Sequence, residues 1–508
     1  MLVLAAILTA RGRAASASRE TAVSIERRAI SALRWATLAK LVVQIGSWAG
    51  TLAIVRLLTP EDYGLMAKVG VVCAVAAAIA ELGLEAAIVR SVDVAREDLR
   101  KLYGVSLALG TVVTLAVVLA APAIAALFQE PGLRWPIAGA SLQIIIGAAA
   151  VVPSALWTRD LAFRPLAKIE MAAGIVGVVA TLVLALLGAG VWALVLGSLL
   201  GAIARSSALL GFGERVWPMF SMRGIGEQLK FGLTVAGNRV SYIVVVQSDV
   251  LIGSAFLSTT QIGQYAVALQ IATLPMAKVM GTINRIALPA VARQHDDLPR
   301  VRQSVLKSLG FISLIAFPSL WGISAVAPEL VRVLFGVKWL ESVPALIILP
   351  LIVPIRMICS VMFTMSLALG NRQLDLRNTL VNFALIPTGF FVGAQFGLVG
   401  LCSAWLVSVP LAYSFSVPAV LRFIGVRAAD LVTECGKPAI AAGVMYAAVA
   451  VLRPTLAGQP EIAQLFGLSA FGALAYFAVI GLIARRHLVS ARNFARAFVA
   501  RDAPGSAP

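Results

Sequence analysis

Leu58-Thr59-Pro60-Glu61-Asp62-Tyr63-Gly64 returns 199 residues later as Leu257-Ser258-Thr259-Thr260-Gln261-Ile262-Gly263. Both stretches share a Leu-(Ser or Thr)-x4-Gly frame, and each follows an apolar run long enough for a membrane helix. The same offset lays Lys40 on Arg239, so the run before each copy carries a cation. A second match is longer. Ala155-Leu156-x-x-Arg159-x-Leu161-x-Phe163-Arg164 recurs as Ala368-Leu369-x-x-Arg372-x-Leu374-x-Leu376-Arg377, at an offset of 213. The extra 14 residues fit the longer connection from Pro328 to Ser342. One short Leu, Ala and Gly match is cheap by chance. Two in the same order, at equivalent places between apolar runs, indicate a six-plus-six duplication.

Composition says what solvent those runs occupy. The chain has 508 residues, 60% hydrophobic and 13% charged, with a mean hydropathy of +0.93. Soluble domains carry about 25% charged residues, and a soluble fold could not hide this much apolar surface. In a bilayer only helices and closed barrels satisfy the backbone. The apolar runs are about 20 residues long, not the alternating ~10-residue segments of a barrel. An all-α, polytopic membrane protein follows, with about fourteen spans. They lie near 35–58, 64–89, 102–127, 135–156, 168–188, 190–212, 230–256, 262–290, 303–327, 341–369, 377–396, 398–421, 434–453 and 463–484. The expected organisation is a cytoplasmic segment 1–33, an N-lobe of six spans over 34–228, a C-lobe of six over 229–425, two further spans over 426–485 and a basic tail 486–508. The opening Met1–Ala10 run is too short to span, and no basic region precedes it, so a cleaved signal is not expected.

The basic residues test this map. With a cytoplasmic N-terminus, 31 of the 42 Lys and Arg fall in alternate connections and the two ends, while the opposite side carries five: Arg56, Arg134, Arg332, Lys338 and Arg453. That split obeys the positive-inside rule only if both termini are cytoplasmic. It also explains the net charge of +18 without nucleic acid. Six spans is an even number, so the two lobes are parallel repeats about a pseudo-twofold axis along the membrane normal. Transporters use that arrangement with the substrate path between the lobes.

The chain resembles the Wzx-type oligosaccharide flippases of the multidrug/oligosaccharidyl-lipid/polysaccharide exporter superfamily. The resemblance rests on Arg56-Leu57-Leu58-Thr59-Pro60-Glu61-Asp62-Tyr63-Gly64, on Glu81-Leu82-Gly83-Leu84-Glu85-Ala86-Ala87-Ile88-Val89, and on Arg159-Asp160-Leu161-Ala162-Phe163-Arg164. It covers about residues 30–425. It implies two six-helix lobes in a V around a central cavity that opens alternately to each side of the bacterial cytoplasmic membrane. It further implies an undecaprenyl-diphosphate-linked repeat unit as substrate, membrane lipids as surroundings, and polymerase or export machinery as further partners.

Six cations remain inside spans: Lys40, Lys68, Arg239, Lys278, Arg285 and Arg356. A charge at the bilayer centre costs about 2.5–3.5 kcal/mol on insertion scales and should face a cavity or a partner. Helical period puts Lys40, Gln44, Ser47 and Thr51 on one face of the first span. It puts Arg239, Tyr242 and Asp249 on one face of the seventh, and Lys278 with Arg285 on one face of the eighth. Aimed inward, these stripes form a wet, cationic cavity in which Lys40, Arg239, Lys278 and Arg285 hold a diphosphate. Snorkelling and pairing, for example of Arg239 with Asp249, are the rival roles. Glu81 and Glu85 serve either as a gate salt bridge with Arg285 or Arg90, or in proton coupling, and Asp249 is a further proton or sodium candidate.

Two other functions compete. A cation-coupled drug exporter would line its cavity with acidic and aromatic groups, whereas here six intramembrane cations face three carboxylates. A membrane enzyme of polysaccharide assembly would need a sizeable external loop, and the longest here is about 14 residues. No Walker A motif surrounds Gly436-Lys437, and no DxD motif is present. The four cysteines stand singly and only two histidines occur, so neither a metal nor another cofactor is expected.

Overall fold

The computed structural model describes residues 46, 49–90, 95–292 and 298–484; for 277–292, 298, 367–368 and 372 it describes the backbone only. Residues 52–484 form one compact unit. The described residues are mostly helical, with no strand among them; most helices are joined by short turns, and the longest non-helical stretch is 213–225.

A helix over 49–57 leads into α1 (Pro60–Glu81), whose start explains the repeated motif. Thr59 and Asp62 cap it reciprocally: the Asp62 carboxylate accepts from the Thr59 backbone N–H at 2.9 Å, and Thr59 Oγ1 accepts from the Asp62 N–H at 3.2 Å. Pro60 takes the first helical position, where its missing N–H costs nothing. The second copy is built the same way. Gln261 Oε1 accepts from the Ser258 N–H at 3.1 Å, and Ser258 Oγ accepts from the Gln261 N–H at 3.3 Å. Both copies are capping boxes that start a long helix.

After α1 the chain breaks at Leu82 and Gly83, both left-handed, and resumes as α2 (Leu84–Arg90). Then follow α3 (Arg96–Leu127), α4 (Arg134–Arg159), α5 (Phe163–Leu186) and α6 (Val191–Phe212). The expected seventh span is two helices, α7 (Gly226–Val246) and α8 (Ser248–Gly253), broken at Gln247. The second half continues with α9 (Thr259–Ala292), α10 (Leu298–Ala325), α11 (Val343–Ala368), α12 (Arg372–Ala394) and α13 (Gly397–Ile424). The expected connection 328–342 is not a loop but helical turns, Ala327–Leu330, Val331–Phe335 and Val337–Ser342, which bury Trp339 completely. Pro350 and Pro354 lie inside α11 without interrupting it.

The packing of the two halves is alike. The most buried spans among the described residues are α4 in the first and the segment ending in α11 in the second, the helices that carry the second sequence match at their ends. The α5–α6 hairpin closes through Gly197 against Thr181, and α12–α13 closes through Gly389 against Ser408. Small residues let helices approach where lipid offers no hydrophobic drive. Eleven of the described helices are long and apolar enough to cross a membrane. The chain is therefore a multi-pass membrane protein with a two-lobed core, although a count of fourteen is not reached among the described residues.

Two last helices, α14 (Ala428–Leu456) and α15 (Glu461–Ile483), dock on α10. Arg302 pairs with Asp430, the Tyr476 hydroxyl donates to Leu314 O at 2.9 Å, and Arg453 Nε lies 2.9 Å from Glu329 Oε1. Glu329 is 8% exposed. Stranding one member of a buried pair costs about 3–5 kcal/mol, and Arg453 is partly exposed, so Arg453→Ala is expected to destabilise the α14–α15 attachment by about 2 kcal/mol. Lower thermal stability in detergent, with Arg453→Lys retaining most of it, checks this.

Candidate functional site

Among the described residues the two halves touch chiefly at two places, one near each end of the spans. The first is at the basic-poor end, where the two copies of the motif pack on each other. A Cβ added to Gly64 would fall on the carbonyl oxygen of Thr259, and one added to Gly263 would fall on the carbonyl oxygen of Pro60. Neither helix could come this close with a side chain there. Beside the crossing, Lys68 is 2% exposed, with its ammonium 2.8 Å from Thr259 Oγ1, 3.5 Å from Glu130 Oε1 and 6.0 Å from the Phe128 ring centroid. The Thr259 hydroxyl donates in turn to Glu130. Trp339 completes this seam: its ring meets Tyr63 edge-on at 5.5 Å, and its indole N–H caps Val55 O at 3.0 Å. Lys338 donates to Leu57 O at 3.1 Å. Backbone carbonyls that end the first span are thus satisfied by the other half.

The second seam lies toward the basic-rich end, where α7 packs on α1 and α2. A Cβ on Gly83 would sit 2.6 Å from Gly232 O, and its φ of 59° also favours glycine. Arg90 stacks on Phe231 at 4.5 Å. Deeper in, Arg239 pairs with Glu81 at 3.4 Å, and both are well exposed. Arg205 on α6 pairs with Glu170 on α5 at 3.7 Å and acts electrostatically on Glu81 as well. Four helices thus bring two cations and two carboxylates toward one space. On α7, Thr234, Asn238 and Ser241 form an exposed polar stripe, and Tyr242 is 65% exposed. Side chains this polar at span depth need water or a ligand rather than lipid tails.

The structure separates some residues that the sequence grouped. Asp249 is 1% exposed and turned away from Arg239 and Tyr242, because the break at Gln247 ends the helical register that would have aligned them. It accepts from the Tyr265 hydroxyl at 2.6 Å and from the Val250 N–H at 2.7 Å; Trp405 donates to Tyr265 at 2.7 Å, and Arg356 stacks on Trp405 at 4.1 Å. Arg239 therefore pairs with Glu81 rather than Asp249. Glu85 accepts from Ser154 Oγ at 3.3 Å. Lys40, Gln44 and Ser47 lie outside the described residues, as do the side chains of Lys278 and Arg285 on α9, and Thr51 is half-buried. Periodicity missed Glu130 and Thr259, and it missed the pairing of Arg205 with Glu170. Thr259 was flagged only by lying in the repeated motif, and Lys68 only as a cation within a span.

Comparison with known proteins places this geometry. The chain is 24% identical over 411 residues to the lipopolysaccharide biosynthesis protein WzxC of Escherichia coli, covering 78% of this chain and 83% of that one. It is 25% identical over 462 residues to the succinoglycan biosynthesis transport protein ExoT of Rhizobium meliloti, covering 89% and 93%. Among solved structures, the lipid II flippase MurJ in an inward closed conformation superimposes with a TM-score of 0.70 at 16% identity, over 88% of this chain and all of that one. An inward-facing multidrug resistance MATE transporter of the MOP superfamily gives 0.59 at 15% identity, over 75% and 95%. These two likenesses show the fold. Residues 53–344, more than half of the chain, match the family described as polysaccharide biosynthesis protein, and the chain belongs to that family.

Proposed function

We propose that this protein flips a lipid-linked oligosaccharide, carried on undecaprenyl diphosphate, across a bacterial cytoplasmic membrane by alternating access. The observation that carries the reading is the group of exposed charges, Arg239, Glu81, Arg205 and Glu170, set at span depth between seams that join the two halves. Exposed ion pairs at 3.4–3.7 Å are worth about 0–1 kcal/mol. A diphosphate, which takes two charge-assisted hydrogen bonds from one guanidinium, can draw either arginine away at little cost. Lys40, Lys278 and Arg285 are proposed to add cations to the same space. The names of the relatives, which refer to lipopolysaccharide and succinoglycan synthesis, support a polysaccharide precursor as cargo.

In this reading the basic-rich end is cytoplasmic, with both termini there, and the Lys68 seam closes the outer side. Headgroup and sugars cross through the polar interior while the polyprenyl tail stays in lipid. A polymerase that extends the delivered unit is the expected partner. A strain lacking the protein is expected to accumulate undecaprenyl-linked oligosaccharide on the cytoplasmic face and to lose the polymer. Normal polymer together with raised drug sensitivity would instead assign the chain to drug export.

A further inference from the structure

Lys68 has an unusual place for a lysine: it is fully buried, yet it lies where the two halves must part if the outer side is to open. Its ion-pair partner, Glu130, is on its own half and keeps 31% exposure. The other half reaches Lys68 through Thr259, whose hydroxyl accepts from the ammonium, while Phe128 and Glu130 of its own half cover the remainder. Closing the seam therefore strips water from an ammonium and adds only one hydroxyl at 2.8 Å to the carboxylate at 3.5 Å and the Phe128 face that its own half already supplies. Such exchanges commonly fail to recover the desolvation cost, and replacing a buried ion pair with a well-packed apolar group is often neutral or stabilising.

We propose that Lys68 is a release spring for the outer gate: its burial holds the closed state only slightly below the open one, so that the seam can part during each cycle. The glycine crossing supplies the fit that closes the seam, and the buried charge keeps that fit from becoming permanent. When Thr259 withdraws, Lys68 rehydrates and stays beside Glu130. A transporter that must open on demand needs two states within a few RT of each other.

This inference rests on the alternating-access reading, and its signature is that the two members of one ion pair act in opposite directions. Lys68→Met keeps most of the volume and removes the charge, and Glu130 retains solvent and the Thr259 hydroxyl, so the closed state gains. Glu130→Gln leaves the ammonium buried without a counter-charge, so the open state gains. A pair that served only to stabilise the fold would weaken the protein whichever member was changed.

The test uses the full-length protein with Cys73, Cys359, Cys402 and Cys435 replaced and a single reporter, Val71→Cys. Val71 is 4% exposed and lies on the same face of α1 as Pro60, Gly64 and Lys68, one turn further in. A membrane-impermeant maleimide is applied to intact cells and, separately, to inverted vesicles. Glu130→Gln is expected to raise the labelling rate from outside on the order of tenfold or more, and Lys68→Met to lower it. The double variant should behave like Lys68→Met, since without the lysine there is no charge to strand. Changes in the same direction, no change in either, or faster labelling in Lys68→Met would overturn the spring. If the reporter reacts from the inverted-vesicle side alone, the orientation in the proposed function is wrong, while opposite responses measured there still uphold the spring.

Discussion

Valine at Gly64 is expected to abolish polymer export while the protein still accumulates in the membrane. The helix crossing at the outer seam leaves no room for a Cβ, because the nearest atom is the backbone oxygen of Thr259, which cannot rotate away as a side chain would. Overpacking a well-fitted contact costs about 1–3 kcal/mol even where side chains can adjust, and here the helices themselves must separate. A penalty of about 3 kcal/mol changes a two-state ratio by more than a hundredfold, so the outer seam would stay open and the cycle would stall. Each half keeps its own core, which explains why the protein should persist. Polymer yield and maleimide labelling at Val71→Cys measure the two effects. Gly263→Val, which meets Pro60, should behave alike. Export at wild-type level in either variant would show that the outer crossing does not have to close.

Arg239→Glu is expected to reduce export about tenfold or more, and the exchanged pair Glu81→Arg with Arg239→Glu to restore it to within about threefold. The single change replaces the cation that pairs with Glu81 at 3.4 Å by a carboxylate facing it, with Glu85 close by across the Leu82–Gly83 break and Glu170 paired to the neighbouring Arg205. Repulsion then opens the inner seam, and the interior loses a cation that a diphosphate would use. The exchange returns both attraction and cation, displaced by the width of the seam. Export assays on the two single changes and the exchange decide the outcome. An exchanged protein as inactive as Arg239→Glu would mean that the cation is needed at position 239 itself, held to the cargo rather than to Glu81.

Much of this architecture could be read from hydropathy, because in lipid a backbone must be helical and apolar runs report directly on spans. The repeated motif was also legible, through its Leu-(Ser or Thr)-x4-Gly frame, and the structure gives its reason: Thr59 with Asp62, and Ser258 with Gln261, cap the helix that follows. What could not be read was any feature set by contacts between distant segments. The break at Gln247 leaves no proline or glycine at that position, so a single helical register was extended across it and Asp249 was placed beside Arg239. Likewise, Lys68 and Thr259 are 191 residues apart, and no local pattern joins them. The turns over 328–342 looked like a connection because their role, covering Trp339 and capping the first span, depends on the other half of the chain.

The outer crossing has one more implication, about ancestry. Position 64 of the first copy meets position 259 of the second, and position 263 of the second meets position 60 of the first. Reciprocal contact of this kind between matching motifs is what an isologous homodimer makes about a twofold axis. An unduplicated six-helix bundle could have built this contact with a second copy of itself, and gene fusion would then have preserved an interface that already worked. Differences at matching positions, Pro60 against Thr259 and Lys68 against Val267, require the two partners to be encoded separately, as they are within one chain.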